Sequence, residues 1–283
     1  MSKKKHHNGP QAPLPDPASF RLPRTGVESH AHLDVRHFDE DRAAVLERAK
    51  AAGVARIGQV FMSSGLWEKG KDYFLPHPEI FFLLSIHPTE AEQLTDEEYE
   101  RLRAIIKAEP RVRAVGETGL DFYWKDCPPE VQKPAFLRLM HLAAEVKLPL
   151  SIHSRDATEE TIALLRAEGF SHYPLVWHCF GGDAALAERI LKLGWHISIP
   201  GPVTFPANQA LREAVRLIPA ERLMIETDCP YLAPMPCRGK RNEPAYLAFT
   251  IHKMAEARGE DPAALWTSCG QTAIKFFDLA PLE

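Results

Sequence analysis

No CxxC pair occurs, and the 5 cysteines, Cys127, Cys179, Cys229, Cys237 and Cys269, are an odd number scattered along the chain. That argues against a disulfide framework and against a cysteine-built zinc knuckle. Long hydrophobic runs are also missing. The longest strongly apolar stretch, Ile80 to Ile86, is far short of the roughly 20 residues that cross a bilayer as a helix. Nor is there an excess of positive charge. With 34 Lys+Arg against 38 Asp+Glu the formal net charge is -4, so no broad basic field grips nucleic acid, and any anion must be held locally. The opening MSKKKHHNGPQAPLPDPASFRLPRTG has basic residues but no apolar h-region, so it does not read as a secretory signal. Rich in proline and poor in apolar residues, residues 1–25 read as a flexible or surface-hugging extension of a cytoplasmic, monomeric protein. His6 and His7 belong to this solvated tail.

Histidine is what the sequence does have, with 13 in 283 residues. From residue 26 onward a short β-rich run is repeatedly followed by a stretch with helical apolar spacing. The runs are Gly26 to Ser29, Ala55 to Met62, Ile80 to Ile86, Val112 to Glu117, Leu148 to His153, Pro174 to His178, Trp195 to Pro200 and Arg222 to Thr227. Helical stretches include Asp39 to Ala52, Glu130 to Val146 and Asp183 to Leu193, and Gly53, Gly169 and Gly194 stand where C-caps are expected. This rhythm over residues 26–283 predicts one α/β domain, a (β/α)8 TIM-type barrel. The competing doubly wound sheet loses ground because the GxGxxG fingerprint is absent after the first strand.

A parallel barrel directs the C-terminal ends of its strands to one mouth, so residues at those ends converge. The first run is followed by His30 and His32, the fourth ends in Glu117, the fifth in His153, the sixth in His178, and the eighth precedes Asp228. One such histidine carries little weight; the joint placement does. Six potential ligands exceed one tetrahedral site and suit two divalent ions sharing a carboxylate, for which Glu117 has the reach. Two such ions favour hydrolysis, with Asp228 as ligand and as proton acceptor from water. His37, His77, His141, His172, His196 and His252 fall elsewhere and are read as structural, while His87 in SIHP sits at the rim as a substrate contact or a loop cap. Cys179 and Cys229, each beside a candidate ligand, are read as packing residues.

The stretches ESHAHLD, SIHP, VGETGLDFY, QKPAF, LPLSIHSRDA, WHCFGG and IETDCPYLAPMPCRGKRNEP, taken in order, resemble the TatD-type metal-dependent deoxyribonucleases of the amidohydrolase-like barrels. The similarity covers nearly everything beyond residue 26. It implies that His30, His32, Glu117 and Asp228 hold one ion and Glu117, His153 and His178 the other, with Glu117 and Asp228 catalytic. Mg2+ or Mn2+ would be the working ions, and Zn2+ or Ni2+ suit the imidazole-rich set as bound species. The implied reaction is phosphodiester hydrolysis from the 3′ end of single-stranded DNA or RNA. Thr89, Thr118 and Cys229 depart from the residues usual in relatives, but no ligand is missing.

Basic residues flank the same mouth. Arg155, Arg238, Lys240 and Arg241 are candidate phosphate contacts, Glu243 a candidate support for a ligand or for the loop, and Glu226 a support for a ligand or for the core. Phe122, Tyr123, Trp124, Phe180, Phe205 and Tyr231 are candidates for stacking on bases, one or two of the set being enough. A different reading keeps the metals and makes the substrate a small ester, lactone or amide; Glu117, where many such barrels bridge with a carboxylated lysine, weighs against it. A non-catalytic binder would be expected to have lost a ligand, Asp228 above all.

Overall fold

The computed structural model describes residues 14–282. Its strands are β1 (Gly26–Ala31), β2 (Val54–Phe61), β3 (Ile80–Leu84), β4 (Val112–Asp121), β5 (Leu150–Arg155), β6 (Leu175–Trp177), β7 (His196–Ile199) and β8 (Leu223–Ile225). They form one 8-stranded parallel sheet in sequence order. The ends meet at the upper rim, where Ala31 bridges Cys229, the His32 N–H donates to the Cys229 carbonyl at 2.9 Å and the Asp228 N–H to that of His30 at 3.0 Å. The chain is therefore the expected eight-stranded α/β barrel, its seam tied by residues at the mouth.

The helices are α1 (Arg42–Ala51), α2 (Ser64–Phe74), α3 (Asp96–Ala108), α4 (Pro129–Val146), α5 (Thr158–Ala167), α6 (Ala184–Lys192), α7 (Gln209–Leu217), α8 (Leu247–Arg258) and α9 (Pro262–Phe276). Ser63, Thr95, Asp183 and Asp261 accept N–H groups of the first turns of α2, α3, α6 and α9, the role these side chains favour at an N-cap. Gly53, Gly169 and Gly194 follow α1, α5 and α6 with positive φ, as expected of C-cap glycines. None of the helices among the described residues is long and apolar enough to cross a membrane.

Two apolar layers stabilise the barrel. Helices and strands bury one large cluster between them, while Val27, Leu83, Ala114, Val176 and Met224 pack in a separate one with Phe81 and Phe277. Polar residues replace them nearer the mouth, where the buried Ser29 and Ser198 hydroxyls meet at 2.9 Å.

One expectation is narrowed and one needs correction. Of the two readings of the extension, residues 14–25 take the surface-hugging one: Leu14 and Phe20 cover Ala233, Cys237 and Phe249, and the Phe20 ring lies 4.0 Å from that of His252. Their few apolar side chains suffice because α8 offers a matching patch. His6 and His7 lie outside the described residues. Further, β4 and β5 extend past Glu117 and His153, pairing as far as Asp121 with Arg155, so these two side chains sit within strands rather than at their last residues.

Candidate metal centre

Local irregularities aim the candidate ligands. The β1–β2 register shifts between Glu28 and Ala31, and the β4–β5 register between Val115 and Thr118; such bulges re-aim side chains at barrel rims. Gly119 explains how β4 and β5 approach beside Glu117. Its φ is +146°, and a Cβ there would lie 1.9 Å from the His153 carbonyl oxygen, so this position admits only glycine. Asp228 and Cys179 follow β8 and β6 in the left-handed region, at φ 55° and 49°, strain of a kind concentrated at functional sites.

Glu117 is buried at the centre, and its two oxygens divide the imidazoles into two sets. Oε2 lies 3.3 Å from His30 Nε2 and 3.7 Å from His32 Nε2, while Oε1 lies 2.5 Å from His153 Nδ1 and 3.0 Å from His178 Nε2. Asp228 Oδ1 approaches His32 Nε2 at 3.3 Å. The structure thus brings together all six residues that the sequence singled out. Burial opposes ionisation of Glu117, but the His178, His87 and His153 imidazoles outweigh it and hold the carboxyl well below its ordinary range. Asp228 is likewise held low against burial by His32 and His178. Burial, reinforced by His178 stacked at 3.7 Å between ring centroids, pushes His30 down and keeps its lone pair free.

A divalent cation fits this donor set. Both ring nitrogens of His30 and Nδ1 of His32 are buried without a hydrogen-bond partner among the described residues, a condition that native interiors seldom leave unrelieved. Imidazole nitrogens and carboxylate oxygens are the ligands a transition-metal ion selects. His30, His32 and Glu117 form one group whose ligand atoms lie within 4.8 Å of one another, and Glu117, His153 and His178 form a second.

Outer partners orient these rings. Glu226 Oε1 sits 3.0 Å from His178 Nδ1 and accepts the Cys179 N–H, as expected of a supporting carboxylate. His87 takes the Thr89 N–H on Nδ1 and brings Nε2 within 3.6 Å of Glu117; Thr89 thus serves His87. Two further acids escaped the sequence reading. Asp121 Oδ2 holds His153 Nε2 at 2.9 Å, and Glu28 accepts the backbone N–H groups of His30 and Thr227, stapling β1 to the β8 end. Burial pushes the Glu28 carboxyl up to about 8. Even spacing from Glu117 and from His30 was the available signal for both, since alternate strand residues share a face.

The basic candidates separate. Arg155 lies over the Tyr123 ring at 3.8 Å and Arg238 over Phe205 at 4.5 Å, and both are exposed, as is Lys240. Arg241 is instead bound to Asp41 at 2.6 and 2.8 Å and to the His37 carbonyl, and Glu243 takes two hydrogen bonds from Arg48 at 2.7 Å. These two residues tie the loop after β8 to α1 and the turn before it, the loop role expected as one alternative for Glu243, while the Arg241 guanidinium is engaged by Asp41. Cys229 is a buried packing residue as expected; Cys179 is only partly buried, and its thiol stands near His178 and Asp228.

Fold and site together define a metal-dependent hydrolase built on a parallel barrel. The profile of the family described as TatD related DNase matches residues 27–278, and the chain belongs to that family. It is 38% identical over 231 residues to an uncharacterized metal-dependent hydrolase, YabD, of Bacillus subtilis, covering 82% of this chain and 90% of the relative. It is 39% identical over 248 residues to a protein of Enterobacter lignolyticus named 3′-5′ ssDNA/RNA exonuclease TatD, covering 85% and 93%. Among solved structures, the Escherichia coli TatD homolog YJJV aligns with a TM-score of 0.84 at 26% identity, covering 90% of this chain and 99% of that one.

Proposed function

We propose that the protein is a two-cation phosphodiester hydrolase that removes nucleotides from the 3′ end of single-stranded DNA or RNA. The observation that carries this reading is the division of Glu117, with Oε2 toward His30 and His32 and Oε1 toward His153 and His178. A single carboxylate between two imidazole pairs is the arrangement a bridged ion pair requires. The relative named as an exonuclease supports the choice of substrate.

His30, His32 and Asp228 would hold one ion, His153 and His178 the other, and Glu117 both. Bound divalent ions supply neutralisation of charge on a phosphoryl oxygen and make water more acidic near neutral pH. The chain's own contribution is positional. Asp228, kept ionised by His32 and His178, accepts the proton of the attacking water as the phosphorus–oxygen ester bond breaks. Arg155, Arg238 and Lys240, exposed after β5 and β8, would receive phosphate on this reading, a role their exposure supports, and His87, with Nε2 3.6 Å from Glu117, would contact substrate. Working ions on this reading are Mg2+ or Mn2+, with Zn2+ or Ni2+ retained as bound.

The test is a single-stranded oligonucleotide labelled at its 5′ end, incubated with protein of measured metal content in Mg2+, Mn2+, Zn2+ or Ni2+. Stepwise shortening, absent from Asp228→Ala, is expected. Metal-loaded protein that leaves the strand intact under all four ions would refute the nuclease reading.

A further inference from the structure

Among the described residues the exposed large hydrophobics are Tyr123, Trp124, Tyr231, Leu232, Met235 and Leu217. All but Leu217 lie on the loops that follow β4 and β8, at the mouth. Tyr123 and Trp124 are the more tightly built of these. They are 49% and 50% exposed, yet their backbone is pinned: both N–H groups donate at 2.9 Å to Asp121 Oδ1, an oxygen of a carboxylate that is itself buried. Gln132 fixes Asp121 in turn, accepting its N–H at 2.8 Å and donating to the carbonyls of Asp121 and Cys127 at 2.7 and 2.8 Å. Solvent-exposed rings on so firm a base present area at little entropic cost to a ligand.

The other oxygen of Asp121 holds the candidate ligand His153 at 2.9 Å. One carboxylate therefore locks the aromatic loop and the metal centre into a fixed relation. Arg155 completes the arrangement, its guanidinium 3.8 Å above the Tyr123 ring and 5.5 Å from that of Trp124, which stands edge-on at 90°. It lies two residues beyond His153 on β5 and so on the same face, about 7 Å along the strand.

We propose that Tyr123, Trp124 and Arg155 form a stacking platform for an unpaired base of the nucleotide adjoining the scissile phosphate, with Asp121 as its positioning residue. The proposal rests on the nucleic-acid reading of the site and adds to it a determinant: the platform needs a base free of its partner. Half-exposed rings with a cation held over one of them suit a base carrying a phosphate, since every base has a face to stack and Arg adds attraction to both parts. A small neutral ester offers neither.

Tryptophan fluorescence provides a direct readout, because Trp67, Trp177, Trp195 and Trp266 are buried and Trp124 is the exposed indole. The full-length protein is titrated with a thymidine oligonucleotide and with an abasic deoxyribose-phosphate strand of the same length. Quenching by the base-bearing strand at about tenfold lower concentration is expected, as single-base stacking is worth about 1–3 kcal/mol. Tyr123→Ala, an exposed substitution that keeps the reporter, should bring the two strands within about twofold. Equal binding of the two strands by the wild type, binding of neither, or an unaltered preference in Tyr123→Ala would each overturn the proposal. Cleavage of the same oligonucleotide is scored separately. A protein that prefers bases but cleaves nothing would keep the platform and lose the nuclease, whereas cleavage without preference would do the reverse.

Discussion

Asp121 shows how one side chain joins two requirements. Its Oδ2 accepts from His153 Nε2, which leaves Nδ1 turned to Glu117, and its Oδ1 accepts from the backbone of Tyr123 and Trp124. Asp121→Asn divides these tasks, since an amide oxygen can still accept the two N–H groups while its NH2 cannot accept a proton from imidazole. We expect metal affinity, followed by competition with a chromophoric chelator, to fall by about 10–100-fold, the usual cost of removing a ligand's outer partner. Thermal stability without metal should change little. An affinity equal to that of the wild type would remove Asp121 from the ligand-orienting set.

At the level of elements, strand geometry decides where ligands point. Gly119 allows β4 to run beside β5 through the bulge that carries Glu117. Gly119→Ala places a methyl against the His153 carbonyl and asks alanine to adopt a φ of +146°, so a loss of at least about 2 kcal/mol is expected in urea unfolding, together with loss of bound metal. His196, at the start of β7 and far along the chain from any candidate ligand, tests a different property. Burial, with Arg222 and Lys275 adding repulsion, pushes its imidazole down to about 4. The folded state therefore binds fewer protons than the unfolded one between about 6.5 and 4, and its contribution, present above 6.5, is lost as pH falls through that window. His196→Leu should be less acid-sensitive than the wild type across pH 6.5–4 in unfolding midpoints; parallel curves would contradict the assignment.

For the whole molecule, the separation of apolar base from polar mouth predicts what chelation does. Metal removal should leave far-UV circular dichroism intact, because the buried apolar cluster at the base, with Val27, Leu83 and Phe277, contains no ligand. The melting temperature should nevertheless drop by about 5–10 °C per ion present at a hundredfold over its dissociation constant, from a linkage term of about 2.7 kcal/mol. A melt indifferent to chelator would count against bound metal. The molecule's charge is consistent with this economy of contact. Residues 1–25 carry a net charge of +4 and the rest -8, so positive potential at the mouth comes from a few side chains and from cations rather than from a basic face.

Much of this was legible in the chain itself. The alternation of apolar runs with helical spacing determined the barrel, because local periodicity reports which face each element buries. The candidate ligands His30, His32, Glu117, His153, His178 and Asp228 were legible for a related reason: a parallel barrel gathers strand ends whatever their separation in sequence. Tertiary structure decided what pairwise chemistry does once those ends meet. Arg241 and Glu243 looked like part of the site, yet Asp41 and Arg48, some 200 and 195 positions away along the chain, capture them. Asp121 lay beyond the expected end of the fourth run, and only the pairing of β4 with β5 carried His153 to its carboxylate; likewise α8 decided that Phe20 lies on a surface. Periodicity is a property of neighbours in sequence, whereas hydrogen bonds and ion pairs go to whichever partner the fold brings within about 3 Å.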